Sequence, residues 1–225
     1  MKKIAILLIV IYFSGCSAPI KYSLKPVQKY SASKFASKTL AVRTFEDVRK
    51  ERFHGKEGWS SLATGLSNEI ERDGQKWFVN ADINYKNHEI TSGVTNMIIR
   101  HMKASRMFRD VSLEGQMKSN LLLEGKIERF EAFKEVRTVT QVGTLFGLVG
   151  MLSTAGVKSP YDAHTVLIDI NLTDQDKNAI LWSGKVEGVL KGESYADPTG
   201  NNVYSHANES LRDAVEKMLQ NFSKI

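Results

Sequence analysis

The stretch "AHTVLIDINLTDQDKNAILWSGKVEGVLKG", residues 163–192, decides the fold. Its first half sets apolar side chains at Val166, Ile168, Ile170 and Leu172, a period of two that describes a strand with one buried face. "DQDKN" at 174–178 then gathers residues that favour a tight polar tip, and "NAILWSGKVEGVLKG" at 178–192 alternates again. Two such strands joined by a short polar tip form an antiparallel hairpin.

Upstream, "SNLLLEGKIERFEAFKEVRTV" at 119–139 is a third long strand, and "TLAVRTFE" at 39–46 is a short one carrying Leu40, Val42 and Phe45. "QKWFVN" at 75–80 suits a second short strand or a hairpin arm. Between them, "EITSGVTNMIIRHMKASRMF" at 89–108 spaces Ile90, Val94, Met97, Ile98, Met102 and Met107 as a helical stripe, and methionine there is a core filler rather than a ligand set. A closing helix follows the turn residues "DPTGNN", with Leu211, Val215, Met218 and Phe222 on one face. The fold class expected is therefore α+β: an antiparallel or mixed sheet of four to five strands with two amphipathic helices packed on one face.

The other end of the chain carries an address. "MKKIAILLIVIYFSGC" at 1–16 places Lys2 and Lys3 before an uncharged run and then small residues, the layout of a secretory signal too short to span a bilayer. "FSGC" resembles the lipobox of bacterial lipoproteins, with Phe13 in place of the usual aliphatic residue. The resemblance implies cleavage between Gly15 and Cys16 and acylation of Cys16, whose two or more chains would give a stable anchor. Cys16 is the single cysteine, so no intramolecular disulfide can form even in an oxidising compartment. Ser17 follows it, and by the sorting rule of enteric bacteria the absence of Asp there favours the outer membrane.

Residues 1–15 are thus read as signal peptide and 16–38 as lipidated cysteine and flexible tether, because "SAPIKYSLKPVQKYSASKFAS" is rich in Ser, Lys and Pro. Residues 39–225 are read as one domain, long enough for a proper core. The chain has 31 basic against 25 acidic residues, and Lys2 and Lys3 leave with the signal. So mild and mixed an excess does not argue for nucleic acid. The basic cluster "RKERFHGK" at 49–56, within the polar stretch "DVRKERFHGKEGWSS", reads as a solvated loop.

Behind the lipobox, "LAVRTFED" opens the domain, "MIIRHMKASRMFRDVS" runs a helix straight into a strand, and "ILWSGKVEG" puts a Trp after an aliphatic pair. This order resembles a broad group of bacterial envelope lipoproteins: the auxiliary lipoproteins of ABC-type lipid transporters, the lipoprotein that plugs the lipopolysaccharide-transport barrel, and curli-secretion and amino-terminal TolB-like domains. The resemblance implies a non-enzymatic, lipid-anchored accessory protein that binds envelope partners. It implies a periplasmic domain and carries over no functional residue.

No catalytic set emerges from the residues. His54, His88, His101, His164 and His206 lack ligand spacing, and His101 and His206 read as packed or surface helix residues. Asp174, Asp176 and Asn178 imitate the start of a calcium loop, but Ala179 and Lys185 stand where its glycine and bidentate Glu belong. "GKEGWSS" has neither the nucleophile-elbow nor the phosphate-loop spacing. No cofactor or metal is expected.

What is unusual is "VGTLFGLVGMLSTAGV" at 142–157, an apolar, glycine-rich insertion within the domain. Leu145, Phe146, Leu148, Val149, Met151 and Leu152 are its candidate membrane or partner contacts. With its polar flank from Thr138 it is nominally long enough to span a bilayer; a connection folded on its own sheet and an exposed docking element are the other readings. Three functions stay open on these residues: an accessory protein docking through 142–157, an oligomeric secretion or channel component with that segment in the membrane, and an envelope hydrolase with a dispersed site.

Overall fold

The computed structural model describes residues 28–30, 33–49, 68–72, 75–79, 87–134, 158–195 and 201–225. The elements are β1 (Thr39–Val42), β2 (Glu46–Asp47), β3 (Asn68–Arg72), β4 (Gln75–Val79), α1 (Asn87–Ser105), β5 (Asp110–Leu113), β6 (Leu121–Lys134), β7 (Lys158–Asp174), β8 (Ala179–Tyr195) and α2 (Asn201–Ser223). The main sheet is mixed and six-stranded, in the order β5-β1-β6-β7-β8 with β2 also on β6. It exceeds the expected four to five strands because Glu46 and Asp47 resume pairing with Lys126 and Ile127 after β1 has ended. β3 and β4 pair separately as a two-stranded hairpin, Ile70 opposite Trp77.

The long strands behave as their alternation predicts. β6 and β7 pair antiparallel from Leu121↔Asp174 to Lys134↔Tyr161, and β7 and β8 from Asp174↔Ala179 to Lys158↔Tyr195. Alternation alone misassigns one face. Two residues of β7, Ile168 and Asp169, fit between the pairs Leu167↔Val186 and Ile170↔Gly184, where β8 supplies one. Such a bulge shifts the side-chain phase by one residue, and Asp169 takes φ 49 to make it. Leu167, Ile170 and Leu172 therefore enter the core at 0 % exposure, while Val166 and Ile168 lie out of phase with them, on the opposite face.

β1 is the sheet's parallel centre, all four residues buried, pairing with both β5 and β6. A parallel neighbour needs a crossover, and α1 lies within the connection from β1 to β5. The helix stops where Arg106 adopts φ 56 and Ser105 turns back: its Oγ donates to the Met102 carbonyl at 2.7 Å and accepts from the Met107 N–H at 3.2 Å. Strand β5 can then begin four residues on. Just past β1, Phe45 is fully buried, its N–H donating to Thr95 Oγ1 of α1 at 3.0 Å. Its ring lies over Gly125 of β6 so closely that a Cβ there would sit 2.6 Å from Phe45 Cε1.

Both helices contribute to one core with the sheet: Ile98, Met102 and Met107 with Leu121, Leu123, Leu211, Met218 and Phe222. Phe222 meets Trp182 edge-on, centroids 5.3 Å apart. The methionine stripe is core, as its spacing implies. Packing begins earlier than the tether boundary expected at residue 38. Phe35 is 4 % exposed and stacks on Phe108, and the Tyr30 N–H donates to the Ser105 carbonyl at 2.7 Å.

α2 also trims the free edge of β8. Lys217 Nζ donates to the Glu187 carbonyl at 2.8 Å, and Asp213 Oδ2 accepts from the Val189 N–H at 3.3 Å. A bare edge of this kind is where sheets add foreign strands.

The β7–β8 tip is a turn rather than an ion loop. Asp174, 5 % exposed, accepts from the N–H groups of Asp176 and Lys177 at 3.0 and 3.1 Å through the same Oδ1. Asp174→Ala removes the one oxygen that accepts both bonds in a part-buried turn and is expected to cost about 1–2 kcal/mol in chemical denaturation, with Asp174→Asn recovering most of it.

Candidate functional surface

Gly15, Cys16, Leu145, Phe146, Leu148, Val149, Met151 and Leu152 all lie outside the described residues. What the structure does place are the points where the two segments holding them join the body, and the polar groups at those points.

The apolar stretch leaves from the end of β6 and returns at the start of β7. Lys134 is paired with Tyr161, and Lys158 lies three residues before it, roughly 10 Å at about 3.3 Å per residue on a neighbouring strand about 4.8 Å away. A single membrane crossing would part these ends by about 30 Å of hydrocarbon. The ladder holds Lys134 and Lys158 side by side. Among the described residues no helix is long and apolar enough to cross a membrane.

Toward that same end, the sheet face away from the helices carries a row of polar side chains across three strands. Arg129 of β6 lies 3.3 Å from Glu131 through Nε and 3.0 Å from His164 Nδ1 of β7 through Nη1. His164 Nε2 in turn bonds Glu187 of β8. An arginine can only donate, so Nδ1 is the acceptor and Nε2 carries the proton toward Glu187. That tautomer is assigned from the partners. Asp162 of β7 and Lys191 of β8 add an ion pair at 3.1 Å. The arrangement pins three strands in register. Among the described residues no three His, Cys, Asp or Glu side chains gather as a metal-holding group.

The chain from the N-terminus joins the body at the seam between α1 and α2. His101 of α1 is 2 % exposed, and its Nδ1 has no hydrogen-bond partner among the described residues. Burial pushes the imidazole down to about 4, with the Arg212 guanidinium of α2 adding to the effect. Arg212 approaches Glu216 at 3.9 Å. Tyr30 completes the seam, its hydroxyl raised above its ordinary value by burial and then by Glu216. His206 stacks flat on Tyr161, centroids 3.6 Å apart. His101 and His206 are thus both packed.

A third cluster ties the loop after β5 to β1 and β6. Arg43 grips Glu114 with Nε and Nη2, each at 2.8 Å, and bonds Glu124 with Nη1. The bidentate contact holds the Glu114 carboxyl below its ordinary range.

Sequence reading missed these clusters because each joins residues far apart in the chain. Alternation also puts His164 in phase with Val166, Ile168, Ile170 and Leu172, and only the bulge at Ile168 and Asp169 places it on the face away from the core. No local pattern marks His101 as buried against Arg212.

These features define an open, mixed α+β sheet protein with its polar network on one sheet face. No protein-family model matches the chain, and no curated protein matches it in sequence. Among solved structures it is similar to a Xanthomonas campestris protein of the family DUF330, at 10 % identity over 90 % of each chain and a TM-score of 0.43. A PelC dodecamer subunit from Paraburkholderia phytofirmans matches at 10 % identity over 84 % of this chain and 93 % of that one, TM-score 0.34. A Caulobacter crescentus protein described as a candidate lipoprotein matches at 7 % over 60 % and 80 %, TM-score 0.36. At such scores the likeness transfers neither fold nor function to this chain.

Proposed function

We propose that the protein is a lipid-anchored, non-enzymatic accessory protein of the bacterial cell envelope that binds other envelope proteins in transport or outer-membrane assembly. The observation that carries this reading is "MKKIAILLIVIYFSGC", whose basic start, uncharged run and terminal Ser14, Gly15 and Cys16 make up a signal and lipobox. Acylated Cys16 would hold the domain at the membrane, in the periplasm and on the inner leaflet of the outer membrane. The sheet supports a docking role for 142–157, because the β6–β7 ladder brings Lys134 and Lys158, the described residues on either side of it, to one end of the sheet. The oligomeric channel component is the second reading.

Two variants of the full chain test the proposal. Cys16→Ser should lose palmitate labelling and move from the membrane to the soluble fraction. Retention on the membrane without label would overturn the anchor. Deletion of 142–157 should leave a folded, lipidated protein that no longer captures its partner from crosslinked envelopes. An unchanged set of crosslinks would remove the docking role.

A further inference from the structure

β8 forms one edge of the main sheet, and among the described residues α2 bonds that edge at Glu187 and Val189. The Glu187 carbonyl and the Val189 N–H are the groups that point away from β7, since Lys217 and Asp213 of α2 take them. From Val186 to Tyr195 the register with β7 runs without a break, through Leu190↔Ala163 and Gly192↔Tyr161. Backbone direction alternates along such a ladder, so the N–H and C=O groups of Lys191 and Glu193 point outward as those of Glu187 and Val189 do. They lie beyond the reach of the α2 contacts described.

We propose that this end of β8 pairs with the same strand of a second copy, antiparallel, about a two-fold axis at Gly192. The occupant follows from charge and parity together. With Gly192 opposite the partner's Gly192, Lys191 falls opposite the partner's Glu193, and Glu193 opposite the partner's Lys191. These outward-pointing residues are the ones whose backbone groups can exchange hydrogen bonds, so one register satisfies both the ladder and the charges. An isologous contact requires such self-complementarity. Lys191 is 69 % exposed at its side chain and already 3.1 Å from Asp162. Pairing sets it between two carboxylates. Glu193 has an interaction within its own chain, and the new contact adds to it. The Asp213 contact at Val189 limits the ladder to the pairs next to the axis, which makes a weak, reversible dimer.

The test is sedimentation equilibrium of the full chain in density-matched detergent. The native protein should show a reversible monomer–dimer equilibrium. Lys191→Glu and Glu193→Lys each place like charges opposite one another twice, and each should weaken the homodimer about tenfold or more. Their equimolar mixture restores opposite charges at both positions, so it should form a heterodimer at least as tightly as the native pair. Circular dichroism checks that both variants fold. Hydrogen exchange of the native chain should slow at the Lys191 amide as concentration rises. A monomer at every concentration up to about 1 mM overturns the proposal. So does a dimer indifferent to the single substitutions, or a mixture no tighter than its components.

Discussion

Gly188→Val is expected to leave the protein unable to fold cooperatively. A Cβ at position 188 would lie 1.8 Å from the Ser210 carbonyl oxygen and 2.7 Å from the Ala214 nitrogen. Both are backbone atoms of α2, so no side chain can swing aside. The helix sits this close because its inward face is small at Ala207, Ser210 and Ala214, each 0 % exposed, and because Ser210 Oγ hydrogen-bonds Thr165 Oγ1 of β7 at 2.7 Å. Relief would require lifting α2 off β8, which also strips Leu211, Val215 and Met218 from the core. Overpacking of this kind costs about 3 kcal/mol or more, a large part of the 5–15 kcal/mol that typically holds a domain together. Thermal unfolding should fall by about 10 °C or lose its cooperative transition. Gly192→Ala is the control, since its Cβ would meet only the tip of the Tyr161 side chain, at 2.7 Å. A Gly188→Val protein that melts within a few degrees of the native one would mean that α2 does not rest on β8 as described.

The second large effect is a loss of stability in acid traced to His101. Its imidazole is pushed down to about 4 from an ordinary 6.5, by burial and then by Arg212. The unfolded chain therefore takes up the proton first as the pH falls. The contribution of the neutral ring is complete above about pH 6.5 and is lost progressively toward pH 4. A displacement of that size corresponds to roughly 3 kcal/mol across the window. Protonation would put a second cation beside Arg212 in the seam between the helices, under Tyr30. His101→Leu should remove that part of the slope while changing stability little at pH 7, because it also removes an Nδ1 that has no hydrogen-bond partner among the described residues. Denaturant midpoints of both proteins between pH 4 and 7 decide it. Equal slopes would place the acid sensitivity elsewhere.

Much of the architecture is legible residue by residue. The stripe from Ile90 to Met107 and the one from Leu211 to Phe222 mark both helices, because a helix repeats within four residues and its apolar face recurs in the chain. The polar tip between β7 and β8 is equally local, set by Asp174 and the residues just after it. The resemblance to a lipobox is more local still, which is why Cys16 is proposed as the anchoring residue from the sequence alone.

The candidate surface is legible only in part. His164 shares the phase of Val166 and Ile168, and Arg129 that of Ile127, until the bulges in β7 and β6 separate them, and nothing in the separate strands says that Arg129, His164 and Glu187 meet. Tyr30 and Phe35 sit in a Ser- and Lys-rich stretch that reads as tether, and they are held by the Ser105 carbonyl at the end of α1 and the Phe108 ring just beyond it.

By itself the sequence determined the α+β class, both helices, the three long strands and the position of the apolar insertion between two of them. These depend on periodicities and turn chemistry that a short segment carries within itself. Tertiary structure alone decided which face of β7 is buried beyond its bulge, the parallel placing of β1, the side-by-side ends of the insertion and the close seat of α2 on Gly188. Each is a relation between segments, set by which strand pairs with which and how near two backbones can come, and one residue of bulge is enough to reverse the faces that local alternation predicts.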